Sequence, residues 1–97
     1  MPTYVVLLNW TDQGIKDFSE TTDRADAAGE VAKGLGGELK DIYWCLGAYD
    51  VVGILDAPDD ETATAFSLQV SSRGAVRSST MRAFTRDEID GIIEKAS

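Results

Sequence analysis

The run Trp44-Cys45-Leu46-Gly47-Ala48-Tyr49-Asp50-Val51-Val52-Gly53-Ile54 constrains this chain more than any other segment. Two apolar, strand-forming stretches flank Gly47, Ala48, Tyr49 and Asp50, and turn residues set between such stretches predict a tight β-hairpin. A hairpin in the middle of the chain makes its flanks neighbours in one sheet, and the remaining elements must arrange themselves around that pair. Thr3 to Trp10 (TYVVLLNW) is apolar on both alternating faces, with Tyr4, Val6, Leu8 and Trp10 pointing one way and Val5 and Leu7 the other. That pattern belongs to a central strand covered on both sides.

After the first strand, Thr11 and Asp12 offer helix caps. Ile15, Phe18, Thr22, Ala25, Ala28, Ala32 and Leu35 then recur at helical spacing until Gly34, Gly36 and Gly37 end the helix. Gly14 and Gly29 weaken its interior and mark places for a break or a close approach. The second strand covers Glu38 to Leu46, with Ile42, Trp44 and Leu46 on one face and Leu39, Tyr43 and Cys45 on the other. Tyr49 to Leu55 forms the third. Pro58-Asp59-Asp60-Glu61 opens a second helix whose stripe is Ala63, Phe66 and Val70, helped by Ala65 and Leu68. Ala75 to Phe84 is a fourth, less apolar strand suited to an edge. Thr85 and Glu88 have capping-box spacing, which starts a short last helix with Ile89, Ile92 and Ile93 on one face.

The order β-α-β-β-α-β plus a C-terminal helix predicts an α+β, ferredoxin-like fold with sheet order 4-1-3-2. Neighbouring strands are expected to be antiparallel except the first and third. On that pairing the Gly47-to-Asp50 turn lies beside Tyr4, Arg82 and Phe84, while Asn9, Trp10, Asp56, Arg77 and the Gly74 loop gather at the opposite end. Two helices cover one face of the sheet, yet the first three strands are apolar on both. A second copy is the simplest cover for the other face, which predicts a homodimeric α/β barrel or a larger assembly.

With 97 residues, residues 1–97 make one domain, because two halves would each be too small to bury a core. Seventeen acidic against nine basic residues give a net charge of −8, which argues against nucleic acid as a partner. The absence of histidine removes Ser-His-Asp and Cys-His catalysis, His-ligated haem and most zinc sites, so no metal or cofactor is expected. A lone cysteine, Cys45, fits a reducing compartment and reads as inert strand packing. No signal peptide and no apolar run of membrane-spanning length are evident, so a cytoplasmic protein without a membrane partner is expected.

The hairpin and several other segments together resemble the GYD-domain family, named for its Gly-x-Tyr-Asp turn. The shared segments include Asn9-Trp10-Thr11-Asp12-Gln13-Gly14-Ile15, Lys33-Gly34-Leu35-Gly36-Gly37, Gly47-Ala48-Tyr49-Asp50-Val51-Val52 and Thr80-Met81-Arg82-Ala83-Phe84-Thr85. They span essentially the whole chain in order. Where the family more often has Gly-x-x-Gly-Asn-Val-Arg, this chain carries Ser71-Ser72-Arg73-Gly74-Ala75. The resemblance implies a dimeric α/β barrel and no settled activity. Small monooxygenases, muconolactone isomerase-like enzymes, chlorite dismutases and ligand-sensing domains of regulators share that architecture, so fold alone does not choose among them.

The leading functional expectation is a binding, accessory or regulatory module that holds a small apolar or aromatic molecule between sheet and helices. The alternative is a cofactor-independent isomerase or monooxygenase-like enzyme, in which Asp50 or Tyr49 moves a proton and Asn9 or Arg82 orients an oxygen. A purely structural assembly module is the third. Trp10 and Trp44 are candidates to stack on a ligand, and Arg77 and Arg82 to meet its charge, with Arg73 beside Arg77 at the Gly74 loop. Each has a structural role to set against this: turn capping for Asp50, ring packing for Tyr49 and the tryptophans, loop or helix capping for Asn9. Catalysis predicts a closed pocket containing Asp50 or Asn9; binding predicts an apolar cavity whose polar groups are already paired.

Overall fold

A computed structural model describes residues 1–97. The elements are β1 (Thr3–Trp10), α1 (Asp12–Lys16), a 3-10 turn (Phe18–Glu20), α2 (Thr21–Gly34), β2 (Glu38–Trp44), β3 (Val51–Asp56), α3 (Asp60–Ser71), β4 (Val76–Ala83) and α4 (Arg86–Ala96). The four strands form one sheet in the order β2-β3-β1-β4, which is the expected 4-1-3-2 read from the other edge. No helix is long and apolar enough to cross a membrane.

Every neighbouring pair is antiparallel, β1 with β3 included, where Tyr4 faces Leu55 and Leu8 faces Val51. The expected parallel pairing of the first and third strands is therefore wrong. The first helical crossover returns β2 parallel to β1, and the hairpin then reverses β3 against both. The consequence reaches the site, because the start of β3 lies beside the finish of β1. The hairpin loop sits with Trp10 and Val76, and it is Asp56 that sits with Thr3 and Ala83.

The hairpin connection is also longer than a tight turn, running from Cys45 to Asp50 between β2 and β3. The Cys45 N–H donates to the Asp50 carbonyl at 2.8 Å to close it, and Gly47 takes φ +121, a conformation that favours glycine. Cys45 is exposed and outside the strand, not packed within it. In β2 the register slips between Leu39 and Asp41, leaving Lys40 as the extra residue of a bulge. The bulge turns Leu39 onto the face that carries Ile42 and Trp44, not the Tyr43 face expected from strict alternation.

The first helix is broken as well. Thr11 caps α1 through Gly14 N at 3.1 Å and donates its hydroxyl to the Gly74 carbonyl at 2.5 Å. Gly14 is there for space: a Cβ would stand 2.0 Å from the Ala75 carbonyl oxygen. The chain then turns through Asp17, which leaves Ile15 and Phe18 exposed, outside the buried stripe the spacing had suggested. Leu68 of α3 is exposed too, whereas Ala63 and Phe66 are buried as expected.

The core lies between the helices and one face of the sheet. Tyr4, Val6 and Leu55 pack with Val31 and Ala32 of α2 and with Ala63 and Phe66 of α3. The other face carries Val5 and Leu7 of β1, Val52 and Ile54 of β3, Tyr43 of β2 and Met81 of β4, by the alternation and register of the strands. None of these six is buried; Tyr43 is 58% and Met81 48% exposed.

Candidate functional site

The helix-covered face is closely packed only over its Thr3 half. Toward the hairpin, α2 presents Ala25 and Ala28 where a close-packed interface would carry larger side chains. Those alanines face Leu8 and Trp10 of β1, Ile42 and Trp44 of β2, and Val51 of β3. Small residues set above large ones leave a cavity of about 280 Å³, lined on its far side by Val70, Arg73, Ala75 and Val76. That volume lies at the lower margin of small-ligand sites, roughly 300–1,000 Å³. A second hollow of about 500 Å³, between α2 and β2, is walled mainly by charged and polar residues such as Glu30, Lys33 and Lys40.

Some of the polar groups around the apolar cavity are engaged within the chain, while the Glu20 and Asp23 carboxylates that also line it make no hydrogen bond or ion pair. The Trp44 indole N–H donates to Thr21 Oγ1 at 2.9 Å, pinning the end of β2 to the start of α2 across the mouth. Arg24 donates to the carbonyls of Asp17 at 3.1 Å and Gly14 at 3.2 Å, holding the break between α1 and α2. The Arg73 guanidinium makes no hydrogen bond or ion pair with the chain and is the cation left for an incoming group.

Asp50 is not in this cavity. Its carboxylate accepts from the Trp10 backbone N–H at 2.8 Å, while its own N–H donates to the Leu8 carbonyl at 2.9 Å. β3 begins only at Val51, so the side chain supplies the acceptor that a longer strand would have offered Trp10. Tyr49 lies in the loop, 37% exposed and without a hydrogen bond. Asn9 and Arg77 are cross-strand partners on the uncovered face of the sheet, both exposed. Arg73 and Arg77, expected together at the Gly74 loop, thus serve opposite sides of the sheet.

Arg82 belongs to the other end altogether. Its guanidinium lies 4.4 Å from the Phe84 ring centre and 5.7 Å from that of Tyr4, reaches Glu88 at 3.3 Å and donates to the Ala83 carbonyl. Burial pushes the Tyr4 hydroxyl up to about 12, reinforced by its 2.5 Å hydrogen bond to Asp60. Glu88 is held below the usual carboxylate range, chiefly by the Thr85 backbone N–H that it accepts. This cluster ties β1, α3 and α4 together, and the length of the sheet separates it from the hairpin end.

Of the residues singled out from sequence, the structure brings only Trp10, Trp44 and Arg73 to the cavity. Thr21, Arg24, Ala25, Ala28 and Ile42 join them. The alanines were visible as a run of small residues on the buried stripe of the first helix, which is the one signal that announces a gap.

The same architecture recurs in known proteins. A protein from Thermus thermophilus named glutamine synthetase and cystathionine beta-lyase binding protein is 32% identical over 84 residues, covering 86% of this chain and 88% of that one. A crystal structure of a Thermus thermophilus protein superimposes with a TM-score of 0.57 at 26% identity, over 88% of this chain and 95% of that one. The family model for the GYD domain matches residues 4–93. A match over nearly the whole length, joined by a relative of that identity, shows that the chain belongs to the GYD domain family.

Proposed function

We propose that this protein is a homodimeric accessory module that carries a small apolar or aromatic molecule in the cavity beneath α2 and engages a partner protein. The observation that carries the reading is the cavity itself: about 280 Å³, walled by Trp10, Trp44, Leu8, Ile42 and Val51, with Trp44 and Arg24 at its rim held by protein partners. A mainly apolar space walled by two tryptophans suits a binding site, and Asp50, Tyr49 and Asn9, the residues expected to move a proton or orient an oxygen, do not line it. The enzymatic alternative has less support, since Asp50 is spent on Trp10 N and Asn9 faces away from the cavity. The name of the Thermus relative describes binding to two enzymes, and an accessory role toward a metabolic enzyme is the corresponding reading for this chain. The apolar uncovered face, with Val5, Leu7, Val52 and Ile54 at its centre, supports pairing of two sheets into a barrel.

Titration with 8-anilinonaphthalene-1-sulfonate tests the cavity, because its rings suit the tryptophans and its sulfonate suits Arg73. Wild-type protein should bind it saturably with quenching of tryptophan emission, and Ala28→Phe should abolish that signal while keeping the fold. Equal binding by the two proteins would refute the site. Sedimentation of wild type against Ile54→Asp tests the pairing, with a dimer expected only for the former.

A further inference from the structure

Four charged side chains stand among the mainly apolar lining of the cavity beneath α2, and the unpaired ones divide by sign between two elements. Glu20 and Asp23 come from the start of α2, whereas Arg73 follows the end of α3 on the far side. The fourth, Arg24, spends its donors on the carbonyls of Asp17 and Gly14. The ion pairs of the chain use Lys33, Lys40 and Arg82, so Glu20, Asp23 and Arg73 share the rim of one cavity and none is paired. Helix chemistry does not account for the three. Glu20 occupies the N-cap position of α2 without a side-chain cap bond, and a carboxylate in the first turn, as at Asp23, favours the helix end without needing a cavity beside it.

These charges border aromatic surface. Thr21, between the two acids in sequence, accepts the Trp44 indole N–H at 2.9 Å, which fixes that ring beside the acidic turn. Trp10 pairs in register with Val76, which lines the Arg73 side. At the Trp44 end an ammonium group would meet carboxylates and an aromatic ring together.

The mouth therefore discriminates among ligands by charge. A plain organic anion gains Arg73 but brings like charge toward Glu20 and Asp23, in a protein of net charge −8. A plain organic cation gains the two acids and meets the charges of Arg73 and Arg24. A neutral molecule that displaces water from the mouth leaves charged groups there without partners. A head group with one charge of each sign gives every charge a partner. Volume sets the body. An apolar cavity of about 150 Å³ accepts benzene, so about 280 Å³ holds one aromatic ring or branched chain together with the carbon that bears the head. We propose that the ligand is a zwitterion with an apolar body, an aromatic or large aliphatic α-amino acid. Its side chain lies against Trp10 and Trp44, its ammonium group at Glu20 and Asp23 and its carboxylate at Arg73. The proposal rests on the cavity reading above and assigns the head group which that reading leaves open.

Calorimetric titration of the full-length protein compares L-phenylalanine with phenethylamine and hydrocinnamate, which keep its ring and chain but each carry only one of its two charges. Phenylalanine should bind at least tenfold more tightly than either analogue, and Ala28→Phe should abolish its binding. Arg73→Gln should erase the advantage over phenethylamine, and Glu20→Gln/Asp23→Asn the advantage over hydrocinnamate. All three side chains are exposed, and far-UV circular dichroism checks that the variants keep the fold. An analogue that binds as tightly as phenylalanine, variants that leave the phenylalanine affinity unchanged, binding that survives Ala28→Phe, or no phenylalanine binding at all overturns the zwitterion. Saturable binding of the anilinonaphthalene probe then leaves the apolar cavity standing, and its absence overturns both.

Discussion

Ala28→Leu separates a ligand cavity from ordinary loose packing. Ala28 is half-buried on α2, facing the space bounded by Leu8, Ile42 and Val51. Leucine adds three carbons, and at about 0.8 kcal/mol per buried methylene the ceiling on the gain is roughly 2.4 kcal/mol. Ordering the longer side chain removes about 0.5–1 kcal/mol, and the helix propensity of leucine differs from that of alanine by only a few tenths. The net expectation is stabilisation by about 1 kcal/mol, an increase in Tm of roughly 4–8 °C for a domain of this size. The same atoms occupy the binding space, so affinity for the anilinonaphthalene probe should fall at least tenfold. Urea unfolding followed by tryptophan emission gives the stability, at one fixed protein concentration because association would shift the midpoint. A variant that is less stable by about 1–3 kcal/mol would show a site already filled, where added carbons overpack. A variant that gains stability but binds the probe as before would place the ligand elsewhere. Either result refutes the reasoning.

Asp50 gives a second test. Asp50→Ala removes the acceptor of the Trp10 N–H and should destabilise the fold by about 1.5–3 kcal/mol, whereas Asp50→Asn keeps an acceptor oxygen and should lose less than half as much; equal losses in urea unfolding would contradict the strand-end role. Tyr4 gives a third. Its hydroxyl is pushed up to about 12 in the folded state against an ordinary value near 10, so between these the unfolded chain releases a proton the folded chain keeps. Stability should therefore decline as pH rises from about 10 toward 12, and Tyr4→Phe should lack that part of the decline in alkaline unfolding scans.

Most of the fold was legible because strand and helix periods leave strong marks. TYVVLLNW announced a central strand, Thr85 with Glu88 announced the last helix cap, and the observed capping box matches it. What failed were features that periodicity does not carry. A single extra residue at Lys40 inverts the facing of Leu39, and no composition signal distinguishes a bulge from a regular strand. Asp17 breaks a helix that the apolar spacing runs straight through, because the break is set by a tertiary contact: Thr11 and Gly14 lodging against the Gly74-Ala75 backbone. Strand direction followed from topology and needed no structure at all. β1, a helical return, β2, then a hairpin leaves β3 opposite to β1.

That one reversal decided most of the site. With β3 antiparallel to β1, Asp50 leaves the end of the sheet that holds Tyr4 and Arg82 and arrives at Trp10, where its carboxylate accepts the backbone N–H. Trp10 and Trp44 were legible as ligand candidates because aromatic rings on a covered face are conspicuous. The alanines were legible only as small residues on a helix stripe; the cavity they leave was not, since a cavity is made by atoms that are missing. On α2, Val31 and Ala32 meet Phe66 and Leu55 and close the Thr3 half of the sheet, while Ala28 and Ala25, one and two turns earlier, have no bulky residue of α3 above them. Val70 is the last apolar side chain of α3 on that side, and the helix ends at Ser71. The cavity thus exists where one helix runs out and the other turns small. Such a gap depends on two segments far apart in the chain, and a linear reading of either one shows only an ordinary amphipathic helix.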